Sequence, residues 1–211
     1  MKLPIAAVLG LAVIAAPAAG LAHFALLQPQ SAVVEDKLGN PQKAGPCGVT
    51  ADQPGMPSGF VTAVVGGSLL HVKVKETIYH PGFYRVALSV MDRAELPADP
   101  ADTTMDGPKG PMSMSGKIDP HPKPPVLVDG LWENHVKHPL GELDSDVKLP
   151  NINCDHCSLQ VIQFMEMHPI NAPGRFSYHH CADLKITANP ALPVDPAWPG
   201  QVASKTKSKA N

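Results

Sequence analysis

Ten histidines are spread through this chain, and His23 is the one whose neighbours give it unusual chemistry. It follows Gly20-Leu21-Ala22, with small residues at the two places a signal peptidase reads, so cleavage after Ala22 would make it a chain terminus. A terminal histidine offers an α-amine and an imidazole on one residue, two nitrogens that chelate one metal ion. No internal histidine can do that. One further imidazole opposite them completes a T-shaped set of three nitrogens, which suits both Cu(II) and Cu(I). The second imidazole is read as His80, which precedes Pro81-Gly82 in a tight loop between two strand-like runs, because loops at the end of a rigid β-framework are where exposed sites are built. His179 and His180 come next. Adjacent strand residues face opposite sides, so His180 shares a face with Tyr178 while His179 goes with Cys181 and Asp183. His121, His135, His138, His156 and His168 have polar, proline-rich neighbours and read as surface residues. Met105, Met112 and Met114 carry thioethers of the kind that bind Cu(I), and as loop methionines they read as incidental.

The elements that must hold these residues are short strands. Lys2 and the apolar residues 5–16 form a leader too short to span a membrane, so the expected organisation is a signal peptide over 1–22, a sandwich domain over 23–188 and a Pro-rich, basic, disordered tail over 189–211. Ala16-Pro17-Ala18 is a competing cleavage site. Residues 24–27 are a strand candidate, followed by a long irregular stretch to residue 59. Residues 60–65 and 68–74 flank Gly66-Gly67, a hairpin signal, and the alternation of Leu70, Val72 and Val74 with His71, Lys73 and Lys75 marks one buried and one wet face. Residues 83–91 read as a core strand. Residues 92–125 show almost no periodicity and read as an excursion from the sandwich, with a return to the sheet at 124–128. The last hairpin is the clearest: runs at 157–165 and 175–187 are joined by a loop containing Pro169, Pro173 and Gly174. That pairing makes Gln163 a strand neighbour of the Tyr178 region.

Twenty-four prolines and 17 glycines with little helical periodicity give a many-turned, all-β composition, an antiparallel sandwich of the immunoglobulin or fibronectin kind with long loops. The net charge of -2 argues against a nucleic-acid partner, and no stretch predicts stable membrane insertion. Four cysteines in an exported chain predict two disulfides, with zinc as the rival reading of Cys154-x-x-Cys157. Three connectivities are open, and folding the last hairpin brings Cys181 near residues 157–159, so that a bridge to Cys157 or Cys154 fits.

Taken together, several motifs resemble the lytic polysaccharide monooxygenases and their monooxygenase-like relatives. They are His23-Phe24-x-Leu-x-x-Pro, Pro46-Cys47-Gly48, Glu76-Thr-Ile-Tyr-His80-Pro-Gly-x-Tyr-Arg85, Cys157-Ser-Leu-Gln-Val-Ile-Gln163 and Tyr178-His-His-Cys-Ala-Asp183. The start is also similar to that of fungal copper-acquisition relatives. The resemblance implies a secreted or periplasmic protein holding one copper in a histidine brace, through the His23 amine and side chain and the His80 side chain. It implies Tyr178 as the axial aromatic, five residues before Asp183; hairpin pairing alone, apart from the resemblance, suggests Gln163 as a hydrogen-bond donor to oxygen species bound at the metal. His179 and His180 depart from the family pattern, and either offers a third imidazole or a hydrogen-bond donor behind the ligands, in competition with Tyr178 for the axial side. The implied activity is oxidation of a chitin-like or cellulose-like polysaccharide by O2 or H2O2. The competing expectation is a copper carrier that uses the same brace with a copper-delivery partner, in keeping with the scarcity of tryptophan: only Trp132 and Trp198 are present.

Overall fold

The computed structural model describes residues 23–201. The leader and its cleavage site, and the tail beyond 201, lie outside those residues. Among the described residues there are ten strands: β1 His23–Gln28, β2 Val61–Val65, β3 Leu69–Ile78, β4 Gly82–Ser89, β5 Asp102–Gly107, β6 Gly110–Gly116, β7 Val126–Asn134, β8 Glu142–Lys148, β9 Cys154–Met165 and β10 Ser177–Thr187. A single 3-10 turn, Arg93–Glu95, is capped by Asp92, whose carboxylate accepts from the Ala94 amide.

Three of these strands form one layer in the order β1-β3-β8, and five form the facing layer in the order β2-β10-β9-β4-β7. The all-β sandwich read from composition is therefore the fold. Alternation builds the smaller layer. On β3 Leu70, Val72 and Val74 point inward while His71 faces solvent, where its Nδ1 lies 3.0 Å from Asp146 of β8. The larger layer is buried on both faces, so β4, β9 and β10 read as nearly continuous buried runs. Its inner face supplies Tyr84, Val86, Leu88, Leu159, Val161, Tyr178, Ala182 and Leu184, which meet Phe24 and Leu26 of β1 and the β3 valines in the main core. Each fully buried aliphatic side chain there contributes roughly 2 kcal/mol. Its outer face, with Ala87 and Cys181, is covered by Cys47 and Leu96 from the long connections.

Four expectations change. Residues 60–65 and 68–74 do not form a hairpin. A turn occurs at Gly66-Gly67, but β2 runs parallel to β10 while β3 pairs with β1 and β8, so the turn carries the chain from one layer to the other. Cys181 bridges to Cys47, and Cys154 bridges to Cys157. Hairpin register does place Cys181 opposite Gln160, near Cys157, but Cys181 points to the outer face and Cys157 into the core, so their sulfurs diverge. Both thiols of Cys154-x-x-Cys157 are consumed in a disulfide, as the two-disulfide expectation requires. Residues 92–125 contain the hairpin β5–β6, a small sheet of its own. Residues 189–201, expected as the start of a disordered tail, lie against the sandwich: Trp198 is in the core and the Asn151 amide donates to the carbonyls of Asn189, Leu192 and Pro193.

Candidate metal centre

His23 opens β1, and antiparallel pairing sets it opposite Ile78 at the end of β3. His80 is two residues past Ile78, in the turn into β4, so both histidines are at the same end of the sandwich. Two contacts hold the start of β1 in place. The Phe24 amide donates to Oε1 of the buried Gln42 at 3.1 Å, and His180 Nε2 donates to the Phe24 carbonyl at 3.0 Å. His180 Nδ1 lies 2.8 Å from Glu35, whose carboxylate also accepts the Leu26 amide. The Phe24 ring meets that imidazole edge-on at 4.6 Å. His180 is thus on the Tyr178 face, as alternation required, with both ring nitrogens committed to clamping β1 onto β10.

Tyr178 is buried, its ring 5.2 Å from the His23 ring and tilted 40° to it. Burial pushes its phenol up to about 12, while the nearby Asn171 amide lowers it by less, without reaching it in a well-formed hydrogen bond. Gln163 is directly opposite Tyr178 on β9 and opposite Tyr84 on β4, so the sequence-based pairing is found. It is buried, and its Oε1 meets no hydrogen-bond partner. His179 faces the other way. Its Nε2 is 2.7 Å from Asp99, and its amide donates to the Gln42 carbonyl at 2.8 Å. The Gln42 carbonyl and the Ala32 amide, which donates to the Cys181 carbonyl, complete the β10 edge that β2 does not reach. The structure therefore gathers His23, Tyr178 and Gln163 in one layer of contacts, with His80 at the same end, and separates His179 from them.

One residue read as surface belongs to this end. His168 is buried in the loop between β9 and β10, and its ring meets the His80 ring edge-on at 4.6 Å. Its Nδ1 donates to the Pro169 carbonyl at 2.6 Å. Ser113 of β6 fixes that loop: its hydroxyl reaches the Met165 carbonyl at 2.7 Å and its carbonyl accepts the Met167 amide. The available signal was position, since His168 is the one histidine on the connection between the two strands that carry Gln163 and Tyr178.

A buried carboxylate stands behind the site. Glu76 is opposite Phe24, accepts from the Tyr84 hydroxyl at 3.4 Å and meets His138 Nε2 at 2.7 Å. Burial first and the Glu76 charge second push the Tyr84 phenol well above its usual range. The exposed His135 is flanked by Glu133 and Glu166, which raise its imidazole above its ordinary value.

Among the described residues, no group of three or more His, Cys, Asp or Glu side chains is gathered to hold a metal, and none of the helices is long and apolar enough to cross a membrane. No protein-family model matches the chain, and no curated protein matches it significantly.

Proposed function

We propose that the protein is an exported mononuclear copper protein in which His23, through its amine and imidazole, and His80, through its imidazole, hold the ion. The observation that carries this reading is the β1–β3 register, which sets His23 opposite Ile78 and so brings His80 to the same end of the sandwich, where the His23 ring lies 5.2 Å from the buried Tyr178 ring. A brace has two side chains rather than three, and its third donor is a backbone amine, so the absence of a three-side-chain cluster among the described residues is compatible with it. The unpartnered Gln163 Oε1 and Tyr178 hydroxyl also fit a site meant to receive a polar guest, since buried polar atoms are otherwise paired.

When bound, copper supplies the one-electron chemistry that oxidises a glycosidic C–H bond with O2 or H2O2. Tyr178 closes the protein side of the site to water. Gln163 holds an amide ready beside it, and the His180–Glu35 clamp fixes the strand that carries His23. Two disulfides support export. The second reading, a copper carrier using the same brace, is favoured by one observation: Phe60 is the only exposed aromatic side chain among the described residues, so no flat aromatic platform for a crystalline glycan is present.

Intact-mass measurement of the exported protein is expected to give a chain beginning at His23; a start at Ala19 or Phe24 overturns the brace. Copper(II) titration with EPR is expected to show tight nitrogen coordination that weakens in His80→Ala. Incubation with reductant, H2O2 and a panel including chitin and cellulose decides between enzyme and carrier by whether oxidised oligosaccharides form.

A further inference from the structure

Next to His80 is an apolar pocket of about 290 Å³ whose lining includes Met112, Met167 and Pro169. Met112 is on β6 and Met167 on the loop after β9, so two separate elements each bring a thioether to the same cavity as the imidazole. Met105 is directly opposite Met112 in the β5–β6 register, and Met114 is the residue that the register skips, at an irregularity between Ser113 and Ser115. Both are exposed, Met105 to 45%.

The placement of Met167 is not incidental to a mobile loop. Its backbone has φ +52°, in the left-handed region, which is unfavourable for a residue with a Cβ. That conformation is held from both sides, because the Met167 amide donates to the Ser113 carbonyl and the His168 amide to the Ser113 hydroxyl. The result is a thioether that is 52% exposed on a fixed backbone. Burial in a core does not explain that exposure.

Thioether sulfur is soft and neutral at every pH, and it binds Cu(I) in preference to Cu(II) or Zn(II). One imidazole with two thioethers, in an apolar setting with a third thioether beside it, is a donor set for Cu(I). Lys109 also lines the pocket, through a stem long enough to keep its ammonium in water. We propose that Met112, Met167 and His80 form a Cu(I)-receiving site, with Met105 across the strand pair from Met112, from which the ion passes to His23 while His80 remains bound. The hand-over is ligand exchange, two thioethers replaced by the amine and imidazole of His23, and no electron moves. The receiving site rests on the geometry of the pocket, and its role as an entry port rests on the brace reading.

The test uses the exported protein with its methionine methyl groups labelled with carbon-13 and titrated with Ag(I), a redox-inert stand-in for Cu(I). The Met112 and Met167 methyl resonances are expected to shift together and saturate at one equivalent, before those of Met56 and Met91, which are exposed elsewhere. The near-isosteric double variant Met112→Leu, Met167→Leu keeps the pocket apolar. Compared in a His23→Ala background, which removes the brace, it is expected to lose at least about tenfold in Cu(I) affinity by competition with a chromogenic chelator. Equal shifts at Met56 and Met91, or a double variant with unchanged Cu(I) affinity, overturns the inference. The Cu(II) EPR spectrum reports on the brace alone: a nitrogen-rich spectrum with silent methyl groups sinks the receiving site and keeps the brace. Responsive methyl groups without that spectrum keep the site and sink the brace.

Discussion

Tyr178 has its hydroxyl enclosed by protein, so its phenolate has no solvent to stabilise it. The phenol is pushed up to about 12 in the folded state against about 10 in an unfolded chain. A group whose folded value is raised contributes stability that is complete below the unfolded value and lost as pH rises through the folded one. The window is therefore about pH 10 to 12. The denaturant midpoint of the wild type is expected to fall more steeply across it than that of Tyr178→Phe, and the variant is expected to lack one tyrosinate absorbance step within that window. A variant with the same high-pH slope as wild type would remove Tyr178 from this account. At this scale the sequence carried direction but not partnership. Period-two alternation placed Tyr178 and His180 on one face and His179 on the other, as found. The partners that decide what each imidazole does, Glu35 and Asp99, come from distant loops, Asp99 from 80 residues away, and no local pattern announces them.

At the scale of elements, the turn that presents His80 depends on Gly82. Its φ is +143°, and a Cβ at this position would sit 2.0 Å from the Phe164 carbonyl oxygen. Backbone cannot yield as a side-chain tip can, so Gly82→Ala must push β4 away from β9 where Gly82 faces Met165. A loss of roughly 2–3 kcal/mol is expected in denaturant unfolding, and on the proposed brace reading copper affinity falls with it because His80 moves with the turn. Unchanged stability would show that the close approach is not required. The hairpin β9–β10 was legible because both strands are long, strand-forming and separated by prolines and a glycine, and its register delivered Gln163 to Tyr178. The β2–β3 pairing was misread because Gly66-Gly67 specifies a turn but not the sheet each flanking strand joins. The hairpin β5–β6 was missed for a different reason. Its residues are mostly exposed, so it has no buried face to imprint a period of two. His168 was misread along with it, because its burial depends on Ser113 of β6.

In the whole molecule, long connections do as much to build the site as the sheets do. Residues 29–60 reach across the β10 edge, supply Gln42 and Glu35 to the start of β1, and are fastened to β10 by Cys47–Cys181. The all-β class was legible from proline, glycine and aperiodic composition. The bridge between Cys47 and Cys181 was not, because its ends are 134 residues apart and only the outward face of Cys181 selects its partner. That bridge makes a covalent circle of the chain from 47 to 181, with strands β2 to β9 and the His80 turn strung on it. A protease cut at an exposed point on the circle, such as beside Met91 or Val136, opens a ring rather than dividing a line. The nicked protein is expected to migrate at its full mass in a non-reducing gel and to fall into two fragments only when a thiol is added.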